Sequence, residues 1–217
     1  MSAPDEATLR GAIIAACRDM NAAGVNHGTS GNISVRFGDR MLITPSATAY
    51  AAMTPDMIAS MPLEGGGADG PLKPSTEWPF HLALYRARPD IGAIVHAHPT
   101  FATALSICRR PIPPVHYMIA AFGGDSVSVA DYALFGSTAL AEAVVRAMRD
   151  RFACLMANHG ALAAGDSLAT ALWRMIELET LARQYGEALR IGEPVLLSQP
   201  EMTAALERIR GYGRPGG

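Results

Sequence analysis

The chain carries 217 residues, with 18 Lys and Arg against 20 Asp and Glu and a formal charge of −2; this is long enough to bury a sizeable core without cross-links, and no window holds the basic run that nucleic-acid binding demands. Its three cysteines, Cys17, Cys108 and Cys154, are too scattered for a disulfide framework or a CxxC metal knuckle, which favours a reducing cytoplasm. The acidic start MSAPDEATLR, and the lack of any uncharged apolar run of about 18 residues, leave no signal for export or for a membrane.

In chain order, DEATLRGAIIAACRDMNAAG sets Leu9, Ile13, Ala16 and Met20 at helical spacing from Asp5 to about Ala23, with Gly24 suited to end the helix. NISVRF and RMLITP read as the two strands of a hairpin turned at Gly38-Asp39. The glycines at 65–67, followed by Asp69-Gly70-Pro71, mark a loop. Ser75 or Thr76 caps a helix that runs to about Arg88; Glu77 in its first turn suits the dipole, and Pro79 there loses no intrahelical bond. IGAIVHAH is a strand, and ACLMANH is another running from Ala153 into His159-Gly160. A long helix covers roughly Ser167 to Leu189 before Gly192. The whole chain, 1–217, reads as a single α/β domain of the α+β type, with a flexible tail from about 211.

Two of the six histidines, His96 and His98, are separated by one alanine. In an extended strand, residues i and i+2 project from the same face about 6 to 7 Å apart along the backbone. Two imidazoles so placed can share one metal ion, or can stand as two solvated or hydrogen-bonded rings at a strand end. A catalytic zinc takes three or four His and carboxylate ligands and keeps room for substrate. His159, which ends a strand before a glycine that permits a tight turn, is the third candidate, and Glu77 is the fourth. His81, one turn after Glu77 and near Trp78 and Tyr85, reads as a packing residue or a support behind the ligands. His27 reads as structural or near the mouth of the site, and the role of His116 stays open.

GTSGN, Gly28 to Asn32, offers backbone N–H groups, two hydroxyls and an amide ahead of a strand. It has no lysine and no following helix, so it is not a Walker A loop. Alone, such a loop is more often a plain turn. Beside ITPSA (Ile43 to Ala47) and PST (Pro74 to Thr76) it becomes one of three hydroxyl-rich turns available to a single oxyanion.

Taken together, GTSGNIS, LITPS, PSTEWPFH, VHAHP, PPVHYMIAAFGG, YALFGS and NHGALAAG resemble the class II aldolase/adducin family, over about Arg10 to Tyr212. The resemblance implies a central, mainly antiparallel sheet covered by helices on both faces. It implies zinc, or Mn2+ or Co2+ in its place, held by Glu77, His96, His98 and His159. It places the substrate phosphate among Thr29, Asn32, Thr44, Ser75 and Thr76, and makes Glu77 and Tyr117 the proton-transfer residues. Tyr117 then reaches the site from a neighbouring subunit of a homotetramer, and Phe135 and Tyr212 wall the aldehyde end.

The implied reaction is reversible cleavage of a ketose 1-phosphate, one like L-fuculose 1-phosphate or a 5-deoxy- or 5-methylthio-ribulose 1-phosphate, to dihydroxyacetone phosphate and a small aldehyde. A metal replaces a Schiff-base lysine in such chemistry, and Lys73, the only lysine, precedes a proline in a loop. The chain departs from the family pattern at Ala47, where glycine is usual, at Thr76, where serine is common, and at Asn158, where a second histidine is frequent. Relatives on the same scaffold act as sugar-phosphate epimerases, decarboxylases or dehydratases, or as metal-free adducin-like interaction domains. The tyrosine in HYMIAA and the four ligand positions favour the aldolase.

Overall fold

The computed structural model describes residues 4–211. Helix α1 (Glu6–Ala22) is capped by Asp5, whose side chain accepts from Thr8 N–H, and it buries Ile13, Ala16, Cys17 and Met20. Strands β1 (Asn32–Phe37) and β2 (Arg40–Ile43) form the expected hairpin, with Phe37 opposite Arg40. Past a 3-10 turn at Pro55–Met57, β3 (Ala59–Pro62) pairs with β2. Helix α2 (Trp78–Ala87) leads into β4 (Ala93–Ala97), which runs beside β1 with His96 opposite Asn32 and Ile94 opposite Ser34.

Next come α3 (Thr100–Ile107), a 3-10 stretch at Tyr117–Phe122, the short β5 (Val129–Ala130) and α4 (Thr138–Ala147). The β6 (Ala153–Met156) and β7 (Gly160–Gly165) hairpin is followed by the long α5 (Leu168–Ile191) and by α6 (Gln199–Gly211). The strands build one seven-stranded sheet in the order β3-β2-β1-β4-β7-β6-β5. Among the described residues every pairing is antiparallel except that of β5 with β6.

The pleat of this sheet divides the interior into two cores, because neighbouring residues of a strand point to opposite faces. On one face Ile33, Val35, Val95 and Ala97 pack with residues of α1, α3 and α5. On the other, Met41, Ile43, Ile94 and Leu162 pack against Phe80 and Leu84 of α2 and Leu140 and Val144 of α4. Helices therefore cover both faces, and β4, at the centre, is buried along its whole length. Ser34, Asn32 and His96 lie on the α2 face, so a polar stripe crosses the middle of an apolar layer.

Two local expectations are corrected. Helix α2 starts at Trp78, and neither Ser75 nor Thr76 caps it; Glu77 holds the N-cap position and makes no side-chain cap bond. Ser75 Oγ instead accepts from Glu77 N–H at 3.3 Å, which turns the chain two residues before the helix. The strand read as running into His159 stops at Met156. Residues 157–159 form a three-residue loop into β7, closed by His159 N–H on Met156 O at 3.0 Å, with Asn158 in the left-handed region. The tail expected from about 211 lies outside the described residues.

The helix after His98 is held by a distant residue. Pro99 occupies the N-cap of α3 and offers no side-chain acceptor. Glu179, from α5, accepts from Phe101 N–H and Ala102 N–H, each at 2.8 Å, and so satisfies donors that a local cap would have served. Glu179→Ala is expected to lower the unfolding free energy by about 1–2 kcal/mol, the usual worth of a helix cap. The measurement is a drop in the urea midpoint at unchanged slope.

Candidate metal centre

Glu77 is brought to the sheet by a pinned loop. Ser46 N–H bonds Lys73 O at 3.0 Å, Ser75 N–H bonds Thr44 O at 2.9 Å, and Pro45 bridges Pro74. His96 is the penultimate residue of β4, His98 directly follows the strand, and His159 closes the β6–β7 loop that leads into the neighbouring strand β7. Two glycines make this approach possible. A Cβ on Gly31 would lie 2.6 Å from His96 O, and one on Gly160 would lie 2.6 Å from the His98 ring.

The four side chains converge. Glu77 Oε2 lies 3.1 Å from His96 Nε2, Glu77 Oε1 lies 3.2 Å from His159 Nε2, and the Nε2 atoms of His96 and His98 are 3.1 Å apart. Ligating atoms of the three histidines all fall within 4.8 Å of one another. His96 Nδ1–H donates to Ala161 O at 2.9 Å, which fixes the ring with Nε2 turned toward the carboxylate, where it offers a lone pair once a cation takes the place of its proton. Among the described residues Glu77 Oε1 is a buried acceptor with no hydrogen-bond donor; the approach of His159 lacks hydrogen-bond geometry. Lone pairs crowded against a carboxylate call for a cation, and three imidazoles with one carboxylate are a donor set suited to zinc.

Charge within the cluster follows from this crowding. Burial pushes the Glu77 carboxyl up, but the His96 and His159 imidazoles outweigh it and hold the group well below the usual carboxylate range. Burial opposes a charge on His96, yet the adjacent Glu77 carboxylate raises it overall. His98 is pushed down to about 3 by burial, with His96 and His159 adding to the effect. His81 is also pushed down to about 3, chiefly by burial.

A hydrogen-bonded row stands behind Glu77. Asn32 Nδ2 donates to Glu77 Oε2 at 2.9 Å, Asn32 Oδ1 faces His81 Nε2 at 2.6 Å, and Ser34 Oγ lies 2.7 Å from His81 Nδ1 and 2.9 Å from Tyr85 Oη. In front is a cavity of about 480 Å³ lined by Ser30, Thr76, Glu77, His98, Phe135 and His159, among others.

The expected phosphate residues are partly gathered. Thr44, Ser75 and Thr76 sit on the two pinned turns; Thr44 Oγ1 accepts from Ile33 N–H at 3.2 Å, and Thr76 is exposed in the cavity. Thr29 is exposed on the neighbouring loop, while Asn32 is buried with both polar atoms bonded inside the protein. Phe135 lines the cavity. Tyr117, 57% exposed and stacked on His116, is not among the described residues that line it. Tyr212 lies outside the described residues. His116 Nδ1 accepts from Met118 N–H and caps the 3-10 stretch.

Ser34 and Tyr85 stand in the row behind Glu77 and Tyr132 lines the cavity, and none of the three is among the sequence-predicted site residues. The available signal for Ser34 was a polar residue two positions after Asn32 on a buried strand. Ala47 takes φ 51°, a left-handed conformation that glycine adopts freely and alanine does not.

A sequence model described as "Class II Aldolase and Adducin N-terminal domain" matches residues 11–185. The chain belongs to the class II aldolase/adducin family. It is an enzyme of the class II aldolase type, similar to the 5-methylthioribulose-1-phosphate/5-deoxyribulose-1-phosphate aldolase of Rhodospirillum rubrum, with 44% identity over 94% of this chain and 92% of the relative. The L-fuculose phosphate aldolase of Escherichia coli strain K12 is 45% identical over 93% of this chain and 94% of its own. Among solved structures, one titled "L-fuculose 1-phosphate aldolase" superposes with a TM-score of 0.91 at 37% identity, covering 97% of this chain and 98% of that one. Class II aldolases depend on a metal, and the histidine group described above is one that a class II aldolase could use for it.

The metal-free protein is expected to lose stability as pH falls from 6.5 toward 3. Unfolded His81 and His98 take up protons near 6.5, whereas the folded groups resist to about 3, so the unfolded state binds more protons in that window. Thermal melts of chelator-treated protein read the loss, and its upper part lies above the range where ordinary carboxylates titrate. Ala47→Gly should raise the urea midpoint, by up to about 1 kcal/mol of stability, because it relieves the left-handed alanine.

Proposed function

We propose that this enzyme is a zinc-dependent aldolase that reversibly cleaves a ketose 1-phosphate to dihydroxyacetone phosphate and a small aldehyde, with Mn2+ or Co2+ able to stand in for zinc. The convergence of Glu77, His96, His98 and His159 on one point carries the reading. Relatives named for L-fuculose phosphate and for 5-methylthio- and 5-deoxyribulose 1-phosphates support the substrate class. These ketose 1-phosphates share the phosphate-bearing end and differ at the aldehyde end.

Bound zinc supplies a Lewis acid for the negative charge that builds on the oxygens of the cleaved ketose. Glu77, a ligand in the resting enzyme, exchanges a proton with the dihydroxyacetone phosphate carbon through Oε1, the oxygen that Asn32 does not hold. Thr29, Asn32, Thr44, Ser75 and Thr76 bind the phosphate through hydroxyl, amide and backbone donors, with the second N–H of the Asn32 amide completing the set. The lysine reading is weak here, since Lys73 is exposed and contributes its carbonyl to the loop.

Tyr117 takes the C4 hydroxyl proton during cleavage and returns it in synthesis. Its exposure on its own chain fits delivery to a neighbouring subunit, and we assign the enzyme as a homotetramer with sites between subunits. Phe135 and Tyr212 wall the aldehyde end. No helix among the described residues is long and apolar enough to cross a membrane, the free thiols are spread apart, and we assign the enzyme to the cytoplasm. The four ligands also set it apart from a metal-free interaction domain of the adducin kind.

Release of dihydroxyacetone phosphate from a panel of ketose 1-phosphates tests the activity, with one substrate expected to be preferred and others to react. No release from any of them, with about one zinc per chain bound, would sink the aldolase reading and favour an epimerase or dehydratase. Tyr117→Phe is expected to cut cleavage by roughly two to four orders of magnitude, the range for a lost general acid or base, while zinc content stays at the parent level.

A further inference from the structure

We infer that His81 is a positioning residue: as the neutral Nε2–H tautomer it dictates which way the Asn32 amide faces, and so anchors Oε2 of Glu77 while leaving Oε1 open. The inference rests on the reading of Glu77 as ligand and proton carrier.

The hydrogen bonds of the row admit one direction. A buried carboxylate only accepts, so Asn32 must present Nδ2 to Glu77 Oε2, at 2.9 Å, and its Oδ1 must face His81. An oxygen at 2.6 Å requires a proton on His81 Nε2. The neutral ring then carries a lone pair on Nδ1, which accepts from Ser34 Oγ at 2.7 Å. Ser34 has spent its proton, so Tyr85 Oη donates to it at 2.9 Å. Every donor from Tyr85 onward points toward Glu77.

Burial makes this direction binding. Ser34 and His81 are fully buried, and Tyr85 and Asn32 are 1% and 3% exposed, so water does not offer a substitute partner. The His81 ring is held flat against Phe80, with centroids 4.7 Å apart. A flipped Asn32 would set its oxygen against the carboxylate, and the Nε2–H of His81 would then face an amide NH2. With its proton on Nε2 the ring opposes the flip together with the carboxylate, from a distance and without touching the cavity.

The consequence falls on the two oxygens of Glu77. Oε2 is tied to Asn32, and Oε1, buried and without a donor among the described residues, faces His159. One oxygen orients the group and the other is left for ligation and proton exchange.

His81→Phe tests the inference, since it keeps a ring to stack on Phe80 and removes both nitrogens. Zinc affinity, measured by chelator competition, and kcat on the preferred ketose 1-phosphate are each expected to fall about 10–100-fold, the range for a lost hydrogen-bond partner of a metal ligand. His81→Gln, which keeps a donor and an acceptor, should recover part of the loss. Histidine 15N shifts of the metal-free parent protein should show His81 protonated on Nε2 and bare on Nδ1. Should His81→Phe fail to fold, Ser34→Ala removes the donor to Nδ1 and should weaken zinc and kcat in the same sense by a smaller factor. An Nδ1–H tautomer, or zinc affinity and kcat at parent level in a folded variant, overturns the inference. A parent protein that binds no zinc would instead overturn the metal reading, and the 15N shifts would still decide the tautomer.

Discussion

The structure turns on one buried carboxylate placed among three imidazoles. Removing an ionised group from water is costly unless it is paired and hydrogen-bonded, and Glu77 satisfies that condition because two separate segments, the end of β4 and the β6–β7 loop, deliver three histidines to the same point. The arrangement also forgoes a local gain. Glu77 sits at the N-cap of α2, where a side-chain bond would stabilise the helix, and its carboxylate is turned toward the histidines instead. A rule of helix formation is broken at the residue proposed as ligand and proton carrier.

The sheet makes the convergence possible. Antiparallel pairing of β1 with β4, and of β4 with β7, sets Asn32 beside His96 and brings the His159 loop to the same rim as His98. Backbone crowding is relieved where it is greatest, by Gly31 under His96 O and Gly160 beside the His98 ring. Asn158 accepts a left-handed conformation in the tight loop that carries His159, a tolerance asparagine has more than most residues. The family's more frequent histidine at that position is replaced here by a residue that lines the cavity and whose Oδ1 accepts from Arg109 Nε at 3.2 Å.

Much of this was legible in the chain. Gly38-Asp39 gave away the first hairpin, the apolar spacing from Leu9 to Met20 gave α1, and Ser167 and Gly192 bracketed the long helix. The HxH pair, His159 before glycine and Glu77 after two hydroxyl residues were visible as candidate ligands by type and position, and the family resemblance joined them into one set. Less legible were the short elements. β5 has two residues, and α3 is capped by Glu179, some eighty positions away, so neither carries a local signature. The end of β6 at Met156 is not legible in ACLMANH, because an apolar run does not say where a strand stops and a hairpin loop begins.

By itself the sequence determined the chemistry on offer: imidazoles, one carboxylate, hydroxyl-rich turns, a single lysine out of place for a Schiff base, and a periodicity that commits the chain to mixed helices and strands. These follow from residue type and from near neighbours, which is where side-chain chemistry and backbone preference act. Tertiary structure alone decided which oxygen of Glu77 is held and which is free, that Asn32 bridges Glu77 and His81, and that Tyr117 is exposed outside the lining of its own chain's cavity. Those outcomes depend on strand register and on hydrogen bonds between residues dozens of positions apart. Such contacts exist only after the sheet has closed.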